Sequence, residues 1–502
     1  MTRNMADRLG DWTPEEFAQA GEEVLSTIRD YMTTIDEQPV LTDIAARELI
    51  ALLDAPLPDQ GEPFGQILAE TRANVIPHLT KWNHPKYFAY FASSPSGPGI
   101  LADTLISALN VNLFLWKTSP AGSALEKVVL RWLTEMIGYP AESDGVLLNG
   151  ASLATFYALA AAREATGLNI REEGLIGRDL PVLRCYATEH AHSSIDKAII
   201  ALGVGLKNLV KIPGDEQHRM RPDLLEAAIR ADLEQGYKPF AVVAVVGTTS
   251  TGAVDPLAAV GAICREYGLW LHLDAAYGGL YNLVPEIRAQ VDEFAVADSI
   301  VINPHKVMFT PLEVTALFSR RKGVLAQAFS LVPEYLRTEP QDGSVNYMDF
   351  SLQLGRSFRA LKLWWVIRSF GREGIARRMA EHRRIAINLA AAMQAHPDFV
   401  VVGESPYPLV CFRAFPRDLQ AAWAEASPER RQEIRAYVDR LNMATMERVN
   451  ADLMQFITHS GLHDGYILRV AIGNIRTDEG HVTDLWEKIQ QAAAAADAAL
   501  RS

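Results

Sequence analysis

The sequence predicts an α/β fold: a mostly parallel sheet covered by helices, preceded by a helical segment and followed by a smaller α+β region. Two observations predict the sheet. Short apolar runs at 146–148, 182–187, 240–246, 269–273 and 300–302 read as strands. Helical patterns at 155–166 and 257–267 lie between them, and strand–helix alternation argues for parallel pairing. A third observation is the change after about residue 366, where helices mix with short strands at 399–402 and 467–470.

In chain order, residues 1–95 read as helices with loops. Thr13-Pro14-Glu15-Glu16 is a capping box with proline at the first helical position, opening an amphipathic helix to about Met32. Residues 96–365 form the large α/β domain and 366–502 the small one. No fixed-period repeat is visible, and the alanine-rich stretch 492–499 is the one compositionally biased tract.

Composition narrows the function. The formal charge is −13, from 48 Lys+Arg against 61 Asp+Glu, which opposes binding to nucleic acid or an anionic membrane. Cys185, Cys264 and Cys411 offer neither a disulfide framework nor zinc-ligand spacing, so buried free thiols in a reducing cytoplasm are expected. The start of the chain has no apolar signal region, and the run 240–246 is too short to span a bilayer.

Ligands of open α/β sheets bind beyond the carboxyl ends of the strands, so those ends carry the functional argument. Gly145-Val-Leu-Leu-Asn-Gly-Ala151-Ser152 ends a strand and opens a helix, whose free amides suit an anion; a plain N-cap serine is the simpler reading. No GxGxxG or P-loop accompanies it. Trp270-Leu-His-Leu-Asp274-Ala-Ala276 delivers a carboxylate beside small residues, suited to a ring-nitrogen cation or to capping a turn. Ser299-Ile-Val-Ile-Asn303-Pro-His305-Lys306 brings a lysine to the same edge, a Schiff-base nucleophile when desolvated and otherwise a surface cation. Thr188-Glu-His190-Ala-His192 supplies an imidazole able to stack on a flat ligand. Metal ligation by His190, His192, His272 and Asp274 is the weaker alternative, because spacing supplies no convincing set, and His190 and His272 read as core histidines.

Together with Trp82-Asn-His-Pro-Lys-Tyr-Phe-Ala-Tyr90-Phe91, Gly247-Thr-Thr249 and Leu354-Gly-Arg-Ser-Phe-Arg359, these segments resemble the group II pyridoxal-5′-phosphate (PLP) decarboxylases. The likeness leans towards the aromatic-L-amino-acid branch and spans roughly residues 10–490 in the family's order. It implies the fold type I (aspartate aminotransferase-like) large domain and a homodimer whose N-terminal helices wrap the partner, with active sites at the subunit interface. It also implies that Lys306 carries PLP, Asp274 holds the pyridinium nitrogen and His192 stacks on the ring. Thr249 and Ala276 would line the cofactor, with Ala151, Ser152, Asn303 and His305 around the phosphate. The substrate pocket would use Trp82, Tyr90, Phe91, Gly355 and, from the partner, Phe114.

PLP serves many reactions, so the cofactor alone does not fix the chemistry. The resemblance places the proton donor of decarboxylation at Tyr335, in a Gly- and Pro-punctuated stretch suited to a lid. Relatives with phenylalanine there are oxygen-dependent aldehyde synthases, so Tyr335 favours release of amine and CO₂. An aromatic pocket favours Trp, Tyr, DOPA or Phe as substrate. Val307, where relatives carry tryptophan, and Asn112, where they often carry an apolar residue, are departures. Competing readings are an aldehyde synthase or non-aromatic decarboxylase on the same scaffold, a metal-dependent hydrolase, and a non-catalytic scaffold.

Overall fold

The computed structural model describes residues 11–291, 293–331 and 343–502. Its main sheet holds seven strands: β1 (Asp144–Leu148), β2 (Leu183–Thr188), β3 (Leu209–Ile212), β4 (Lys238–Val245), β5 (Trp270–Asp274), β6 (Ser299–Ile302) and β7 (Thr315–Ser319). Their order across the sheet is β1-β7-β6-β5-β4-β2-β3. β3, β2, β4, β5 and β6 pair in parallel, whereas β7 runs antiparallel to both β6 and β1. With β7 reversed between them, β1 and β6 point the same way, so β1, β2, β4, β5 and β6 all end on one edge.

The strands read as unbroken apolar runs because helices cover both faces. β4 is buried from Pro239 to Val245. The helix Ala151–Glu164 lies close on the sheet through small side chains, with Ala154, Ala158, Ala160, Ala161 and Ala162 buried. Two strands of this main sheet were not foreseen from the sequence. β7 has three apolar residues between the polar Thr315 and Ser319, all buried. β3 is a four-residue edge strand with Lys211 exposed.

A second, antiparallel sheet of order β10-β11-β9-β8 is built from β8 (Phe399–Val401), β9 (Leu409–Ala414), β10 (Thr458–Leu462) and β11 (Gly465–Ala471). It packs with the helices Pro428–Asn450 and Glu479–Arg501 around a core of its own, including Phe399, Phe412, Leu441, Leu468 and Leu485. Position 366 falls inside a helix that runs Arg359–Ala395 and breaks direction at Gly371, whose φ of 65° is open to glycine.

The first helix, Pro14–Thr34, forms the expected capping box: Glu16 N–H donates to Thr13 Oγ1 at 3.2 Å and Thr13 N–H to Glu16 Oε2 at 2.8 Å. None of its residues is buried, and Phe17 is 63% exposed. All three cysteines are free and buried. Among the described residues no helix is long and apolar enough to cross a membrane.

Candidate active site

Five strand ends converge on one cavity of about 520 Å³. β1 leads into Asn149, Gly150, Ala151 and Ser152; β2 into His192 and Ser194; β4 into Gly247 and Thr249; β5 into Asp274, Ala276 and Tyr277; β6 into Asn303, His305 and Lys306. Every residue assigned by resemblance to the cofactor therefore lines one space. A larger depression of about 980 Å³, between 254–259, 285–293 and 383–406, contains neither lysine nor histidine.

Asp274 ends β5 and Lys306 lies in the turn Pro304–Val307 after the neighbouring parallel strand β6, near enough to interact. Burial lowers the Lys306 amine below the ordinary lysine range, and the Asp274 carboxylate partly opposes that shift. Its Nζ lies 5.4 Å from the centroid of the Phe91 ring, which stacks on Tyr277 at 3.7 Å and 18°. Asp274 is 7% exposed, and the Ala276 main-chain N–H donates to its Oδ1 at 3.2 Å, orienting the carboxylate. His192 completes the group: burial lowers its pKa first, with Asp274 raising it and Lys306 lowering it.

The helix Ala151–Glu164 starts at the cavity wall, and no side chain caps its first turn. Its leading N–H groups and positive dipole end suit an anion in the cavity. Asn303 Oδ1 is fixed by the Thr315 hydroxyl at 2.6 Å, and His305 Nδ1 lies 2.7 Å from the Val314 carbonyl oxygen, to which it donates. Burial, with Lys306 nearby, pushes His305 down to about 4, so it stands neutral. Gly247 has a φ of 91°, and a Cβ there would come within 3.0 Å of Tyr407 and 3.1 Å of Tyr277. A side chain at Gly247 would crowd both rings, and Tyr277 lines the cavity.

A buried clasp holds the β1 end in place. Arg356 Nη2 donates to Glu126 Oε1 at 2.6 Å and to Leu147 O at 2.9 Å, while Nη1 donates to Leu113 O at 2.9 Å. Glu126 Oε1 also accepts the Leu147 N–H at 2.9 Å. Both side chains are essentially inaccessible, at 1% and 0%. Arg356→Ala would leave a bare buried carboxylate, and a loss of about 3–5 kcal/mol is expected in urea unfolding. A loss under about 1 kcal/mol would show that the pair is dispensable.

The predicted substrate residues divide. Phe91 lines the cavity. Trp82 and Tyr90 stack on each other at 5.8 Å but are 43% and 52% exposed, outside the lining. Phe114 is half-buried and Gly355 exposed, both away from this chain's own cavity. Asn112 Oδ1 accepts the Arg356 N–H at 2.9 Å, so its polarity serves the backbone of the segment carrying Gly355. Val307 is buried, at 3% exposure. Tyr335 lies outside the described residues. His272 is buried with Nδ1 2.9 Å from Ser299 Oγ, and His190 packs edge-on against His218 at 5.3 Å. Asn149, Ser194, Val245, Tyr277, Leu312 and Glu313 also line the cavity and were not singled out from sequence.

The residues present fit PLP: an uncapped helix start for a phosphate, a carboxylate for a ring cation, an imidazole for the ring face and a desolvated amine for the aldehyde. Site and fold together define a fold type I PLP enzyme.

Comparison with known proteins agrees. The pyridoxal-dependent decarboxylase conserved domain matches residues 46–415. Aromatic-L-amino-acid decarboxylase of Sus scrofa is 35% identical over 95% of this chain and 96% of its own length. Phenylacetaldehyde synthase of a Rosa hybrid cultivar is 34% identical over 96% of this chain and 94% of its own. The crystal structure of Oryza sativa TDC with PLP and tryptamine superposes with a TM-score of 0.90 at 31% identity, covering 97% of this chain and 99% of that one. The chain belongs to the pyridoxal-dependent decarboxylase family and is a PLP-dependent amino-acid decarboxylase.

Proposed function

We propose that the enzyme removes the α-carboxylate of an aromatic L-amino acid, releasing CO₂ and the corresponding arylalkylamine, with Trp, Tyr, DOPA and Phe as the candidate substrates. The observation that carries this reading is the convergence of Lys306, Asp274 and His192 in a cavity walled by the Phe91 and Tyr277 rings. Relatives whose names specify aromatic substrates support it.

When bound, PLP withdraws electrons from the substrate Cα through its protonated ring. The protein does the rest. Lys306, whose amine is lowered by burial, would hold the cofactor through its aldehyde. Asp274 keeps the ring nitrogen protonated. Ala151, Ser152, Asn303 and His305 hold the phosphate, Thr249 and Ala276 bound the ring, and His192 covers its face. Tyr335 returns a proton to Cα after CO₂ leaves.

In the proposed homodimer, the exposed Pro14–Thr34 helix wraps the partner, and Phe114 reaches the neighbouring cavity, while Gly355 leaves room for the substrate ring. The exposed Trp82–Tyr90 stack supports this, since a second subunit would cover it and complete the pocket. Residues 1–95 then serve dimerisation, 96–365 the cofactor, and 366–502 form the small domain. Buried free thiols favour a cytoplasmic location.

A second reading, the aromatic aldehyde synthase, is favoured by relatives bearing that activity in their names. It consumes dioxygen and water and yields aldehyde, CO₂, ammonia and hydrogen peroxide. Product analysis of purified enzyme on an amino-acid panel separates the two: amine without peroxide supports decarboxylation, aldehyde with peroxide the alternative. Tyr335→Phe is expected to divert product from amine towards aldehyde. Unchanged amine output from that variant would place the proton donor elsewhere.

A further inference from the structure

His192 is held from one side by a single neighbour. The Ser194 main-chain N–H donates to His192 Nδ1 at 3.1 Å, and the Ser194 hydroxyl oxygen lies 2.9 Å from the same nitrogen. Ser194 is the first residue of the helix Ser194–Ala201 and is 3% exposed. A helix's opening N–H groups have no partner within the helix, so this one needs an external acceptor. Here the acceptor is the imidazole, which can take that bond only through a lone pair on Nδ1.

We propose that Ser194 is a positioning residue that fixes His192 in the tautomer carrying its proton on Nε2, so that the ring offers the cavity an N–H donor and no lone pair. This inference rests on the reading of the cavity as the cofactor and substrate site. A proton on Nδ1 would point at the Ser194 N–H, so the charged ring loses this anchor. The surroundings act in the same direction overall: burial disfavours the cation, Asp274 favours it, Lys306 and Lys197 disfavour it, and Asp196 favours it, with a net lowering. The group that such a ring recognises is an acceptor oxygen, as in a carboxylate, phenolate or carbonyl. It does not act as a general base through Nε2.

The test is ¹⁵N NMR of protein labelled at histidine, with His192 assigned through H192Q, on the apo and PLP-loaded forms. Wild type is expected to show a pyridine-like Nδ1 and a pyrrole-like Nε2 in both. S194A keeps the main-chain donor and is expected to keep the tautomer, with the Nδ1 resonance shifted by loss of the hydroxyl contact. Its kcat should fall about three- to tenfold, the worth of one hydrogen bond, at little change in cofactor content. S194T, which keeps the hydroxyl, should restore both. A pyrrole-like Nδ1 in wild type overturns the proposal, as does an S194A protein indistinguishable in spectrum and kcat. If S194A fails to fold, the wild-type spectrum decides alone. Because the apo spectrum needs no substrate, failure of the aromatic panel to give amine would count against the proposed reaction and leave the tautomer assignment standing.

Discussion

Lys306→Ala is expected to abolish the visible absorbance of the protein-linked cofactor and to lower amine formation roughly 10²–10⁴-fold, the scale on which loss of one positioned catalytic group is felt. The basis is geometric. Lys306 follows β6 at the cavity wall, and burial leaves its amine easier to deprotonate than an exposed lysine. An unprotonated amine is the form that attacks an aldehyde. Absorption spectra and kcat of the reconstituted variant are the measurements. A variant that kept both colour and turnover would remove Lys306 from the chemistry.

Asp274→Asn should be nearly as damaging. Asparagine keeps the shape and the reach of the side chain but supplies no negative charge for a ring cation. Two unit charges at about 4 Å in an effective dielectric near 20 interact by about 4 kcal/mol, which corresponds to about a thousandfold in rate. The Ala276 N–H that orients Asp274 Oδ1 remains available to the amide oxygen, so the fold should be little affected. The expected result is a kcat lower by roughly three orders of magnitude at saturating PLP, with an unchanged unfolding midpoint. Near-normal turnover in this variant would show that the carboxylate is not electronically required.

Much of the site was legible because strand ends carry it. An apolar run that stops at Asp274, and another that stops before Asn303 and Lys306, announce residues on one edge as soon as the sheet is parallel. The β1-to-helix junction was legible for the same reason. The topology that brings β1 to that edge was not, because it depends on β7, whose polar ends concealed a buried strand. Leu312 and Glu313 follow Lys306 in a loop, and nothing in their residue types marks them as cavity-lining. The role of Ser194 was not legible, since its bond to His192 requires coordinates. Aromatic residues signal a flat pocket without saying whose pocket: Phe91 lies in the cavity of its own chain, whereas Phe114 and Gly355 do not. The clasp of Arg356 on Glu126 joins residues far apart in sequence, and pattern reading has no access to such a pair.

In the proposed reaction one lysine, Lys306, just after β6, holds the cofactor. Reducing the PLP-loaded enzyme with borohydride and mapping its peptides by mass spectrometry tests this directly. Loss of the yellow colour and a stable pyridoxyl group on the peptide containing Lys306 are expected. A pyridoxyl group on another lysine, or none after full reduction, would contradict it.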